Sequence, residues 1–140
     1  MSLDFSSNQL TKLEPSLFAE LGALQQLTLS NNLLTSLQPE TFSGLKSLQR
    51  LDLSRNRLHI IAQYAFDGIP ELISLDLSNN NLTHMVPYAF AGLAALQRLD
   101  VSSNSLVDPV FSGLNNLLYL NLSNNLVISI QFILSLSTSR

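Results

Sequence analysis

Three aspartates spaced 24 residues apart are the side chains in this sequence with the clearest capacity for chemistry. They are Asp52, Asp76 and Asp100, and we call them the acidic row. Carboxylates brought together on one surface would suit a basic or amine-bearing partner, or a weak cation site. Arg50 and Arg98 each precede an aspartate of the row by two residues and would neutralise part of its charge. The sequence therefore indicates a charged binding surface.

Other kinds of chemistry have little support. The 140 residues contain no cysteine, which excludes thiol nucleophiles, disulfides and thiolate metal sites. His59 and His84 lie at different places in the sequence pattern, and no serine has a partner histidine at a suitable site. The net charge of −3 argues against a nucleic-acid partner. We therefore expect no enzyme, no cofactor, no metal site and no nucleic-acid ligand.

Membrane and export signals are also not apparent. No run of about 20 apolar residues is present, so we expect no membrane insertion by this chain. The N-terminus shows no basic segment followed by an apolar one, which predicts that this chain carries no signal peptide.

The spacing of the aspartates reflects a repeat that runs through the whole chain. Six copies of the pattern apolar-x-apolar-x-x-Asn-x-apolar begin at Leu3, Leu27, Leu51, Leu75, Leu99 and Leu120. A fixed period of this length predicts a solenoid, in which each copy buries its apolar face against its neighbours. Alternation at the start of each copy predicts a short strand, and successive strands would form a parallel sheet with a spacing of about 4.8 Å.

Residues between the inward leucines would point out of this sheet and form columns across it. The first column is Ser2, Gln26, Arg50, Ser74, Arg98 and Tyr119. The second column is Asp4, Thr28, Asp52, Asp76, Asp100 and Asn121. The third column consists of Ser6, Ser30, Ser54, Ser78, Ser102 and Ser123. The fourth column is Ser7, Asn31, Arg55, Asn79, Ser103 and Asn124.

These columns supply the candidate ligand-binding residues. They are Arg50, Asp52, Arg55, Asp76, Arg98, Asp100, Tyr119 and Asn121. Arginine and tyrosine are enriched among residues that dominate binding energy. The rest of the surface is mostly serine and asparagine, which favours a polar target, either a protein or a glycan.

Two further ladders are predicted to be scaffold. One asparagine per copy would satisfy backbone groups where the chain turns inward: Asn8, Asn32, Asn56, Asn80, Asn104 and Asn125. One phenylalanine per copy would fill the core on the return segment: Phe18, Phe42, Phe66, Phe90 and Phe111. Prolines precede four of these phenylalanines and disfavour a long helix there. Four recurring glycines, Gly44, Gly68, Gly92 and Gly113, are predicted to be turn residues.

The combined pattern, Leu-x-x-Leu-x-Leu-x-x-Asn-x-Leu followed by Pro-x-x-Phe-x-x-Leu, closely resembles leucine-rich repeats. The 24-residue length is similar to the subclass common in extracellular and cell-surface proteins, although the cysteine-rich caps of that subclass are missing. The resemblance extends from Leu3 to about Leu122. It implies an α/β repeat fold: a solenoid with a parallel β-sheet on its concave face and short irregular or 3-10 convex segments.

The resemblance also implies a function. It predicts a non-enzymatic recognition module that binds a protein or a microbial-surface ligand through the concave face, in innate immunity or cell adhesion, outside the cell or at its surface. A second interpretation of the acidic row stays open, because Leu-Asp-Leu-Ser is a common strand sequence in this family and the aspartates would then be scaffold.

The two ends of the solenoid suggest an alternative function. We assign residues 1–126 to the solenoid, with about six repeats, and residues 127–140 to a hydrophobic C-terminal flap or irregular cap. Candidate self-association residues are Leu3, Phe5, Ile128, Ile130, Phe132 and Leu134. In one alternative the flap caps its own chain. In the other the uncapped ends meet in a homodimer, and the chain is then a structural or assembly module whose activity is self-association.

The sequence contains two acceptor motifs for N-linked glycans. Asn81-Leu82-Thr83 and Asn121-Leu122-Ser123 match Asn-x-Ser/Thr, and they are relevant only if the chain is secreted.

Overall fold

A computed structural model describes residues 1–130 of the chain, and its main feature is a six-stranded parallel sheet. Within these residues the strands are β1 (Ser2–Asp4), β2 (Gln26–Thr28), β3 (Ser36–Leu37), β4 (Arg50–Asp52), β5 (Ile60–Ile61), β6 (Ser74–Asp76), β7 (Arg98–Asp100) and β8 (Tyr119–Asn121). The large sheet has the order β1-β2-β4-β6-β7-β8. The short strands β3 and β5 pair in a second parallel sheet, which the sequence did not indicate. This is the solenoid that the repeat predicted.

The register of the large sheet follows the repeat. Leu51 pairs with Leu27 on one side and Leu75 on the other, and the same column of leucines continues to both ends. The last interval is 21 residues rather than 24, yet Leu99 still pairs with Leu120. The shorter interval therefore shortens the return segment of this repeat and leaves its strand aligned with the neighbouring strand.

The asparagine ladder forms the hydrogen bonds that its position predicted. Asn56 is buried, and its Oδ1 accepts the backbone N–H of Leu34 at 3.1 Å. Its Nδ2 donates to the carbonyl oxygens of Leu29, Leu53 and Ser54 at 3.0, 3.1 and 3.2 Å. Within residues 1–130 no buried side-chain nitrogen or oxygen lacks a partner. The asparagines are confirmed as scaffold.

The phenylalanine ladder fills the core of the return segments. The rings of Phe42, Phe66 and Phe90 are buried and stack with centroid distances of 5.9 and 6.0 Å. Phe18 and Phe111 extend the stack at its two ends, at 6.3 and 5.9 Å. Five rings thus join successive repeats, as the spacing predicted.

The convex side consists of turns, and residues 1–130 contain no α-helix. The turns are closed by backbone hydrogen bonds between residues three apart, such as the bond from the Leu21 N–H to the Phe18 oxygen at 3.0 Å. Gly44 has φ +93°, and an added Cβ would lie 2.6 Å from the Cα of Ala19. Close contact between adjacent turns therefore requires glycine there.

The two ends of the sheet leave apolar side chains in contact with solvent. At the first strand Leu3 is partly buried and Phe5 is 40% exposed. At the last repeat Ile128 is 84% and Ile130 is 58% exposed. The candidates Phe132 and Leu134, and the flap beyond residue 130, lie outside the described residues.

None of the segments among residues 1–130 forms a helix of the length and apolar character needed to cross a membrane.

Candidate functional site

The concave sheet carries a shallow depression of about 260 Å³ over strands β2, β4 and β6. Its charged lining comes from Arg50, Asp52 and Asp76, and its uncharged polar lining comes from Gln26, Thr28 and Ser74. Three of the predicted ligand-binding residues are therefore brought together by the register of adjacent strands. The other candidates in these two columns lie farther along the same face, on β7 and β8.

Each aspartate of the acidic row also has a structural hydrogen bond. Oδ1 of Asp52, Asp76 and Asp100 accepts the backbone N–H two residues later, at 2.9 Å in each case. Asn121, which occupies the same column on β8, accepts the N–H of Ser123 in the same way at 3.0 Å. The row thus fixes the turn that follows each strand, as the scaffold interpretation requires. A neutral amide performs the same task, so the turn itself does not need the negative charge.

The environment of Asp76 disfavours that charge. Burial raises the pKa of the Asp76 carboxyl above its ordinary value, and hydrogen bonds from Ser78 act in the opposite direction. The neighbouring charges of Asp52 and Asp100 raise the pKa of Asp76 further. By contrast, hydrogen bonds from Ser6 lower the pKa of Asp4, which is fully exposed at the end of the same column. A negative charge on Asp76, at the centre of the row, is therefore disfavoured in the folded protein.

The arginines do not neutralise the row by direct pairing. In the described part of the chain the ion pair is Lys12 with Glu14, and neither Arg50 nor Arg98 forms one with an aspartate. The guanidinium of Arg98 instead lies over the ring of Tyr119, with its Cζ 4.3 Å from the centroid. This arrangement is a cation–π contact on an exposed surface. Positive and negative groups therefore lie on one face without forming direct ion pairs with each other.

A cation site at the row finds no support in the geometry. Among residues 1–130 no group of three or more histidine, aspartate or glutamate side chains is arranged to hold a metal ion.

Part of the third column differs from the prediction that it points outward. Ser78 and Ser102 are buried, at 8% and 9% exposure. Their backbone N–H groups donate to Oδ1 of Asp76 and Asp100, and these hydrogen bonds hold the two serines within the turn. Arg55, in the fourth column, is exposed and has φ +53°, a left-handed conformation that recurs at every repeat. The third column therefore contributes less surface than expected.

One feature of the surface was not found from the sequence. The rings of Tyr64 and Tyr88 stack with their centroids 5.9 Å apart on the return segments, and they are 45% and 59% exposed. The two tyrosines are one repeat length apart in the sequence, and this spacing could have predicted that their rings are neighbours.

Comparison with known proteins identifies the repeat. The sequence profile of the family described as "Leucine rich repeat" matches residues 1–58 and 49–106. A comparison with curated proteins gives no match.

Solved structures resemble the solenoid closely. The crystal structure of a TLR13–ssRNA13 complex is 37% identical, with a TM-score of 0.82 over 87% of this chain and 18% of that chain. The crystal structure of the leucine-rich repeat domain of APL1B is 30% identical, with a TM-score of 0.83 over 90% of this chain and 37% of that chain. The chain therefore spans only a minor part of the length of either.

Proposed function

Because the chain belongs to the leucine-rich repeat family, we propose that it is a non-enzymatic recognition module that binds a protein ligand through its concave face. The observation that carries this proposal is the set of charged groups on that face, which includes a row of half-buried aspartates and two arginines without ion-pair partners. The fold has partly desolvated the aspartates and left the arginines exposed, and a partner of complementary charge would be attracted to both kinds of group.

The proposed contact surface has two parts. The first is the depression, where Arg50, Asp52 and Asp76 line one concavity. The second lies on β7 and β8, where Arg98 and Tyr119 form an aromatic and cationic pair with Asp100 and Asn121 beside them. The candidate Arg55, exposed in the fourth column, would border the first part.

The acidic row favours a partner that presents lysine or arginine side chains. The TLR13 structure contains single-stranded RNA. Here the net charge is −3 and the middle of the concave face is acidic, which would repel phosphate groups. We therefore propose a basic protein surface as the ligand, and a glycan or a nucleic acid is a competing outcome of the test.

A titration with a synthetic lysine-rich peptide tests this proposal. The variant Asp52→Asn/Asp76→Asn/Asp100→Asn removes three charges and keeps the oxygen that accepts the backbone N–H of the turn. At about 0.2–1 kcal/mol per exposed charge pair, the three pairs together contribute about 0.6–3 kcal/mol, so we expect the affinity to fall by roughly three- to 150-fold.

The matched control is Glu20→Gln/Glu40→Gln/Glu71→Gln, which removes three exposed charges elsewhere on the chain. It is expected to bind almost as well as the wild-type chain in isothermal titration calorimetry at physiological salt. Equal weakening in both variants would mean that net charge alone attracts the peptide. Tighter binding of an arrayed glycan or of single-stranded RNA than of the peptide would also contradict the proposal.

The setting of this activity is proposed from the repeat subclass. We propose that the module acts outside the cell or at its surface, in innate immunity or adhesion. Immunoprecipitation from intact cells with antibody applied from outside tests the location. Recovery only after the cells are permeabilised would refute it.

Self-association is a second candidate function, favoured by the exposed apolar side chains at the ends of the solenoid. Ile128 and Ile130 are more than half exposed, and Phe5 is partly exposed at the opposite end. Together with Leu3, and with Phe132 and Leu134 later in the sequence, they would seal the core between two copies. Light scattering over a range of concentrations would then give a dimer that Ile128→Ser/Ile130→Ser converts to a monomer. A wild-type chain that stays monomeric would eliminate this candidate.

A further inference from the structure

The two glycan acceptor motifs have very different surroundings in the fold. Asn81 is exposed, and its side-chain amide forms no hydrogen bond within residues 1–130. Its backbone N–H donates to the carbonyl oxygen of Leu58 at 2.8 Å, so the main chain is fixed while the side chain is free. Thr83, the hydroxyl residue of the same motif, is also exposed. No hydrogen bond of the described fold therefore depends on the side-chain amide of Asn81.

Asn121 is engaged on both sides of its amide group. Its Oδ1 accepts the backbone N–H of Ser123 at 3.0 Å and the Ser123 hydroxyl at 2.8 Å. Its Nδ2 donates to Oδ2 of Asp100 at 3.3 Å. The residue is half-buried on β8, in the second column of the concave face. A sugar attached there would replace a hydrogen of this amide and stand on the sheet.

We propose that Asn81 is an N-glycosylation site of this protein and that Asn121 is not. The donor is a lipid-linked oligosaccharide diphosphate. The bond that forms joins Nδ2 of Asn81 to the anomeric carbon of the oligosaccharide, and the bond that breaks joins that carbon to the diphosphate. The lipid diphosphate leaves with the electron pair of the broken bond, the amide proton passes to water, and nothing is oxidised or reduced.

The surroundings of Asn81 accommodate a bulky group. The residues at the same position of the adjacent repeats are Arg57, which is exposed, and Ser105, which is small and partly exposed. The ladder asparagine next to it, Asn80, directs its amide into the core and is unaffected. A glycan at this position would cover the flank beyond the ends of the strands. Partners would be excluded from that flank, and the concave face would stay open.

This assignment rests on the proposed location outside the cell or at its surface and is independent of the proposed ligand, because its test needs no binding partner. The full chain, preceded by a cleavable secretion leader, is expressed in mammalian cells, and glycopeptides from both medium and cells are analysed by mass spectrometry. Enzymatic removal of the glycan converts the modified asparagine to aspartate, which identifies the position.

We expect one glycan, at Asn81. Asn81→Gln and Thr83→Ala should each abolish it, Thr83→Ser should retain it, and Ser123→Ala should leave the attached glycan and its position unchanged. Circular dichroism of Asn81→Gln, expected to match that of the wild-type chain, shows that loss of the glycan is not loss of the fold. An unmodified Asn81 in the wild-type chain, or a glycan at Asn121, overturns the assignment.

Discussion

Replacement of Asn56 by alanine removes the middle of the asparagine ladder and gives a stability loss that can be estimated from the structure. The Leu34 N–H is buried and donates to Asn56 alone, so its loss costs about 1–3 kcal/mol. The carbonyls of Leu29 and Leu53 each lose one donor and keep another from a neighbouring ladder asparagine. These partial losses add about 1 kcal/mol in total. We expect Asn56→Ala to be destabilised by roughly 2–4 kcal/mol.

Asn8 provides a matched control at the open end of the same ladder. Its amide donates to the carbonyls of Phe5 and Ser6 at 3.0 and 3.2 Å, and both bonds are exposed to water. Water replaces such bonds easily, so Asn8→Ala should lose less than about 1 kcal/mol.

Urea unfolding followed by circular dichroism measures both variants. At a slope of about 2 kcal/mol per molar urea, the Asn56→Ala midpoint should fall by roughly 1–2 M and the Asn8→Ala midpoint by much less. Equal shifts in the two variants would refute the reasoning, because they would show that the ladder does not satisfy buried backbone groups.

Two further predictions concern charge and backbone conformation. Burial raises the pKa of Asp76, so its stabilising contribution is present at low pH and lost as the pH rises through the raised pKa. Asp76→Asn should therefore be at least as stable as the wild-type chain at pH 7 and lose that advantage on acidification. Asp4→Asn should behave in the opposite way, because hydrogen bonds from Ser6 lower the pKa of Asp4 and its stabilising contribution is lost as the pH falls. If both variants shift the urea midpoint in the same direction from the wild-type value at pH 7, this reasoning is wrong. Gly44→Ala combines a positive φ with a clash against the preceding turn, whereas Gly113→Ala has a similar φ of +88° and no atom within 4 Å of the added Cβ. Gly113→Ala should cost about 1 kcal/mol and Gly44→Ala about 2–4 kcal/mol by thermal unfolding, and equal losses would mean that the clash relaxes freely.

Much of the fold follows from the sequence because each repeat contacts mainly its neighbours. The 24-residue interval places Leu51 between Leu27 and Leu75, and the same interval aligns the asparagines and phenylalanines into ladders. The short strands β3 and β5 were missed, since two residues are too few to show a period.

The candidate site was predictable in position and less so in detail. The alternation of strand residues placed Asp52, Asp76 and Asp100 side by side on one face, as the register confirms. Their hydrogen bonds to the following turn, and the burial of Ser78, depend on how the chain bends after each strand. Whether these residues bind a ligand stays a prediction.

The sequence by itself determined the repeat, the parallel register and the identity of every column, because a solenoid converts spacing along the chain directly into neighbours across the sheet. Only the tertiary structure decided what each side chain in a column does. Arg98 contacts Tyr119 rather than an aspartate, and Asn121 is held by hydrogen bonds while Asn81 is free. Periodicity fixes where Cα atoms lie, whereas exposure and hydrogen bonding depend on the neighbouring turns and the depth of each side chain.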